Sequence, residues 1–168
     1  MTLPPFEDVL QAHAGDVHRY LLAGVGRVDA DDCFQDVMLA ALRSYPTLTH
    51  ADNLRGWLFT IAYSKAIDSH RSRRRRPVPS DDLVAVAAGA PSRAAGVGPS
   101  IERAGEPDDD ELWSAVRDLP PKQRAAVLHR YLHDLPYREI GEIIGCSEAA
   151  ARQNVRAGLA ALRTEIDR

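Results

Sequence analysis

The chain has 168 residues, which at roughly 100 to 200 residues per domain means one domain or two small ones and excludes a large multidomain enzyme. Hydrophobic residues make up 45% and charged residues 27% of it, a composition that excludes wholesale disorder and fibrous repeats. The net charge of −3 argues against a nucleic-acid partner only until the chain is divided: residues 1–76 hold 10 basic and 9 acidic side chains, residues 77–118 hold 3 and 9, and residues 119–168 hold 8 and 6.

Strand signals are nearly absent and helical periodicity recurs, so an all-α fold is expected. In the first segment Phe6, Val9, Leu10, Val17, Tyr20 and Leu21 trace one face, and Gly24 and Gly26 supply a stop. A second helix reads from Asp29 as N-cap, with Asp32 in its first turn. Phe34, Val37, Met38, Ala41, Leu42 and Tyr45 recur at i, i+3 and i+4 until Pro46 ends it. A third runs from about Asn53 into a run of arginines, with Leu54, Trp57, Leu58, Ile61 and Ala62 as its core stripe and Phe59, Tyr63 and Ile67 on a second face. From Pro77 to Pro107 five prolines stand among Ala, Gly and Ser with little periodicity, the composition of a flexible linker. Leu112, Val116 and Leu119 then open a short helix, and Val127, Leu128, Tyr131 and Leu132 mark another. Tyr137 to Ile144 is short, Gly145 and Cys146 make a tight turn, and Ser147 caps a last helix along Ala151, Val155, Leu159 and Leu162. Two small helical domains result, residues 1–76 and 112–168, joined by 77–111. Each has under 80 residues, a size at which a core is marginal, so both are expected to dock on something larger.

A helix, a Gly-containing turn and a helix opened by a Ser cap form the helix-turn-helix pattern, whose second helix enters the major groove by its N-terminal turns. Arg152, Arg156 and Arg163 fall within a sector of about 40°, at 100° per residue, opposite the apolar stripe, with Gln153 beside them. Arg pairs bidentately with guanine and Gln with adenine; the same face also reads as ordinary solvated helix. Arg71, Arg73, Arg74, Arg75 and Arg76 exceed what helix capping needs and point to a polyanion. Phe59, Tyr63 and His70, on one face of that helix, have the character of a stacking platform for unpaired bases; packing on the first helix accounts for each equally well. On the second helix Asp32, Asp36, Leu39 and Arg43 share a sector of about 60° away from the core. A leucine among carboxylates there suggests a protein interface, although single exposed leucines are common.

Catalytic constellations are missing. His129 and His133 are spaced i, i+4, but the residues between them supply no Glu base, and they read as surface histidines. There is no phosphate-binding glycine loop and no GxSxG elbow, so no enzyme, cofactor or metal site is expected. Cys33 and Cys146 stand 113 positions apart without a CxxC pair, which predicts reduced thiols. The longest apolar run, residues 83–90, is far below the roughly 18 residues that cross a bilayer. The opening MTLPPFEDVL carries no Lys or Arg. A cytoplasmic protein without membrane insertion is expected.

In order along the chain, "DADDCFQDVMLAAL", "NLRGWLFTIAYSKAIDSHRSRRRR" and "LPPKQRAAVLHRYLHDLPYREIGEIIGCSEAAARQNVRAGLAALR" resemble the extracytoplasmic-function (ECF) group of bacterial sigma factors over roughly two thirds of the sequence. The resemblance implies that residues 1–76 are region 2 and residues 112–168 region 4. It implies a polymerase-binding set of Asp32, Gln35, Asp36, Leu39 and Arg43 against the clamp helices of core RNA polymerase, with the flap as a further contact. It implies a minus-ten set of Thr47, Thr49, Asn53, Arg55, Phe59, Tyr63, Arg71, Arg73 and Arg74, and a minus-thirty-five set of Ser147, Glu148, Ala149, Arg152, Gln153 and Arg156. Promoter DNA and an anti-sigma factor follow as partners.

Three places depart from the group's usual pattern. Lys65 stands where an apolar core residue is usual, Pro136 replaces a capping Ser or Thr, and Ala157-Gly158 replaces a typical Arg-Ala pair, where Gly costs roughly 1 kcal/mol against Ala in a helix. The rival reading is a stand-alone dimeric helix-turn-helix regulator, which would bind palindromic half-sites without polymerase.

Overall fold

The computed structural model describes residues 3–49, 52–75 and 110–166, which contain seven α-helices and no strand. The stretch expected to be a flexible linker, Pro77 to Pro107, lies outside the described residues.

Helix α1 (Phe6–Val25) begins after Pro5 with Glu7 and Asp8 in its first turn, where carboxylates suit the positive end of the helix dipole. It buries Val9, Val17, Tyr20 and Leu21. Gly26 donates its N–H to the Leu22 carbonyl at φ +90°, a left-handed backbone open to glycine, and the next residue already starts α2 (Arg27–Ser44). This corrects the expected N-cap at Asp29. The chain reverses within Gly26, so Asp29 lies inside the first turn, where it meets Arg73 at 3.3 Å. Helix α2 turns Ala30, Cys33, Val37 and Ala41 inward, one residue per turn of the face that α1 and α3 cover. A 3₁₀ turn at Tyr45–Thr47 follows, carrying Pro46. Helix α3 (Leu54–Arg75) starts where Asn53 Oδ1 accepts the Gly56 N–H at 2.7 Å. It buries Leu58, Phe59, Ala62 and Ala66, while Lys65 is half-buried at the margin of this core.

The second half is built from α4 (Asp110–Asp118), α5 (Pro121–Leu132), α6 (Tyr137–Ile144) and α7 (Glu148–Ile166). Pro121 stands at the first helical position of α5, where a missing N–H costs nothing. No side chain caps α6 behind Pro136. Instead Arg130 ties the approach to α6, donating to Asp134 Oδ1 at 3.0 Å and to the Leu135 carbonyl at 3.1 Å. Gly145, at φ 68° and ψ 55°, turns the chain between α6 and α7, and Ser147 Oγ accepts the Ala150 N–H at 3.2 Å, the cap read from the sequence. At Gly158 a Cβ would stand 2.7 Å from Val127 Cγ2. The glycine that weakens α7 intrinsically is therefore what lets α7 lie close on α5.

The two halves pack together: α5 lies on α1, α6 on α3 and α4 on α1, and one continuous hydrophobic core runs through both. The larger body that each small half needs is supplied by the other half. This overturns the surface reading of His129, on α5, and of His133, which follows its last residue. His129 is 0% and His133 7% exposed, because Tyr20 of α1 and Phe59 of α3 lie against both rings.

Candidate polymerase and promoter surfaces

The inward spacing of Cys33, Val37 and Ala41 leaves the opposite sector of α2 to solvent. Asp32, Gln35, Asp36, Leu39 and Arg43 are all exposed, and Leu39 and Leu42 remain 50% and 53% accessible. Two large apolar side chains among carboxylates make a patch suited to a partner that offers apolar contacts and basic groups. Burial, and next the Asp36 charge, push the Cys33 thiol beneath this patch up to about 11, so it stays protonated and unreactive at neutral pH. Both described cysteines are free.

The residues expected to act on the minus-ten element fall into three environments. Thr47, Thr49 and Asn53 are exposed at the turn before α3, although Thr47 Oγ1 donates to the Ser44 carbonyl at 2.7 Å and Asn53 caps the helix. Arg71 and Arg73 are exposed near the end of α3, and Arg73 reaches back to Asp29 and to the Val25 carbonyl, each at 3.3 Å. The Arg74 side chain lies outside the described residues.

Arg55, Phe59 and Tyr63 turn toward the second half or the core. Arg55 is half-buried, paired with Asp16 at 3.1 Å, and donates to the His133 carbonyl at 3.5 Å. Its guanidinium stands 5.6 Å from the centre of the Phe59 ring. Phe59 is fully buried and Tyr63 is partly so, its hydroxyl pKa raised by that burial. His70 contacts the Gly24 carbonyl at 3.0 Å and also meets Arg124.

On α7, Arg152, Gln153 and Arg156 are exposed, with Ser147, Glu148 and Ala149 exposed at its start. Arg152 is held in place: it donates to Glu148 Oε1 at 3.0 Å and its guanidinium lies 5.1 Å from the centre of the Tyr137 ring. The Glu148–Arg152 pair is an i, i+4 contact legible in the sequence, but the Tyr137 stack comes from α6 and is not.

Sequence reasoning missed the residues that join the halves. Tyr20 stacks on His129, Phe59 meets His129 and His133 at 4.9 and 4.7 Å between ring centres, and the buried Arg124 donates to the Gly24 carbonyl at 3.1 Å. Burial, then the neighbouring His133 and Arg55, lower the His129 pKa to about 3. Burial lowers that of His133 to about 4 against the opposing pull of Asp16, with Arg55 and Arg19 adding to the fall. Both imidazoles are neutral at neutral pH. Among the described residues no group of three or more His, Cys, Asp or Glu is placed to hold a metal ion, and no helix is long and apolar enough to cross a membrane.

A Sigma-70 region 2 family model matches residues 9–76, and a Sigma-70, region 4 model matches residues 109–162. RNA polymerase sigma factor CarQ of Myxococcus xanthus is 30% identical over 161 residues, covering 94% of this chain and 87% of that protein. ECF RNA polymerase sigma factor SigM of Bacillus subtilis is 27% identical over 159 residues, covering 90% and 93%. The sigma factor RpoE of Bartonella quintana, solved in complex with the anti-sigma factor NepR, matches with a TM-score of 0.72 at 21% identity over 96% of each chain, a likeness of fold. With both family segments present in order and a relative similar along nearly its whole length, the chain belongs to the ECF group of the sigma-70 family of RNA polymerase sigma factors.

Proposed function

We propose that this sigma factor binds core RNA polymerase through the Asp32, Asp36 and Leu39 face of α2 and directs initiation at promoters read by both halves. Residues 1–76 act as region 2 and residues 112–168 as region 4, joined by 77–111. The α2 face docks on the clamp helices and region 4 on the flap. The turn before α3, with α3 itself, captures the minus-ten element as its bases unstack, at a cost of a few kcal/mol that phosphate contacts offset. The first turns of α7 read the minus-thirty-five element in the major groove. The observation that carries this reading is the presence, on one chain, of an exposed leucine–carboxylate face and a Ser-capped helix with Arg152, Gln153 and Arg156 exposed at its start. In this reading the protein is cytoplasmic, has no chemistry of its own and is restrained by an anti-sigma factor. The region 2 match does not favour the rival dimeric regulator.

Run-off transcription with core polymerase, with and without this chain, on the promoter of its own operon tests the proposal. A discrete transcript only when the chain is added is expected. Sequence-specific binding as a polymerase-free dimer, with no effect on transcript formation, would replace this reading with the rival.

A further inference from the structure

Tyr137, the first residue of α6, is not among the residues proposed to read the minus-thirty-five element, yet two arginines meet on its ring. The Arg130 guanidinium lies 5.3 Å and that of Arg152 5.1 Å from the ring centre. Each cation brings its own carboxylate, Asp134 for Arg130 and Glu148 for Arg152, both at 3.0 Å. These acids offset the repulsion between two positive charges on one ring.

The ring itself is fixed from behind. Asp134 turns the chain at φ 49°, a left-handed backbone that Asp tolerates better than most residues. The Leu135 N–H donates to the His129 carbonyl at 3.1 Å, and Arg130 donates to the Leu135 carbonyl at 3.1 Å. Pro136, at φ −67°, then leads into α6. Tyr137 follows this constrained turn with few rotatable side-chain bonds of its own, half-buried against the core.

The Glu148 pair alone does not order Arg152. An exposed i, i+4 pair is weak and screened by salt, and the two side chains keep 48% and 52% of their accessibility. The Tyr137 ring adds a second restraint from another helix. One N–H of the Arg152 guanidinium serves Glu148, which leaves others for O6 and N7 of a guanine. A side chain ordered before binding loses less rotamer freedom at the DNA, and its geometry favours one base edge over the next.

We propose that Tyr137 is a positioning residue for promoter selection, holding Arg152 so that its guanidinium meets a guanine at one position of the minus-thirty-five element. This rests on the reading of α7 as the helix that enters the major groove there.

A double-mutant cycle tests it, using holoenzyme binding to duplexes that vary one base at a time through the upstream element. In the parent, guanine is preferred at one position, and Arg152→Ala removes that preference. Tyr137→Leu should lower the preference by roughly fivefold or more, while Tyr137→Phe, which keeps the ring, retains it. In the Arg152→Ala background Tyr137→Leu should have no further effect, because the residue acts through Arg152. Equal weakening of every duplex by Tyr137→Leu in both backgrounds would make Tyr137 a contact in its own right and overturn the proposal. An unchanged preference in Tyr137→Leu, or a preference that survives Arg152→Ala, overturns it as well. Absence of any upstream sequence preference in the parent overturns the reading of α7 instead.

A measurement on the unaltered full chain covers the case in which Tyr137→Leu fails to fold. In its nuclear magnetic resonance spectrum the Arg152 side-chain protons, identified by their loss in Arg152→Lys, should be shifted upfield by the ring. Arg152 signals at the position of a free arginine side chain overturn the proposal.

Discussion

The imidazole of His129 lies flat on the phenol ring of Tyr20, with ring centres 4.6 Å apart and planes 8° from parallel. One ring belongs to each half, so the stack is an interdomain contact between two rings that carry no charge at neutral pH. Its strength depends on His129 staying neutral.

That dependence has a sign. Burial lowers the pKa values of His129 and His133 from 6.5 to about 3 and about 4; Arg55 on α3 adds to both falls and Arg19 on α1 to that of His133, while Asp16 on α1 opposes the fall of His133. Both folded values lie below the unfolded one, so the open or unfolded chain binds more protons between pH 6.5 and about 3. The stabilising contribution is fully present above pH 6.5 and is lost as pH falls toward 4. The melting temperature should drop between pH 7.5 and 5, and the double variant His129→Gln, His133→Gln should flatten that part of the profile. An equal slope in parent and variant would assign the acid sensitivity to other groups.

The α2 face separates binding from stability. Asp36→Arg with Leu39→Ala alters two exposed side chains opposite the buried Val37, and surface changes of this kind stay within about 0.5 kcal/mol. Co-purification with core polymerase should be abolished while the thermal melt shifts by no more than a degree or two. A large fall in melting temperature would mean that the face packs rather than binds.

Gly158→Ala sets two effects against each other. Alanine gains roughly 1 kcal/mol of helix propensity, but its methyl group would meet Val127 Cγ2 at 2.7 Å. Valine in a helix is confined to one main χ1 rotamer and does not swing away, and overpacking costs roughly 1 to 3 kcal/mol. The steric effect wins, so urea denaturation should find the variant destabilised by about 1 kcal/mol. A stabilised variant would show that α5 and α7 yield readily.

Arg152 is oriented by Glu148 and by the Tyr137 ring, which fits a side chain set up to meet base edges. Arg152→Ala should change which upstream sequences the holoenzyme prefers, by roughly 1 to 3 kcal/mol at one base position. Neutralising Arg71 and Arg73 should weaken all promoters alike and reduce the salt dependence of binding. Holoenzyme binding to a small promoter library at two salt concentrations distinguishes the two. Uniform weakening by Arg152→Ala would reduce that residue to a phosphate contact.

Local rules were enough for the helices and their turns. The period of Cys33, Val37 and Ala41, the cap at Ser147 and the stop at Gly145 depend on residues a few positions apart, and the order of segments is legible as a sigma factor from motifs alone. The N-cap of α2 falls at Gly26, three residues before the expected cap at Asp29, because Gly26 at positive φ makes the turn that a capping side chain would have made. What the tertiary structure decided is the state of α5. A histidine pair at i, i+4 reads as surface in any inspection of its own helix, and Phe59 reads equally as core or as stacking platform. Only the meeting of Tyr20 on α1 and Phe59 on α3 with His129 and His133 buries these rings together. These contacts join residues 70 to 113 positions apart, across the intervening segment 76–109, and no periodicity within one helix carries information over that separation.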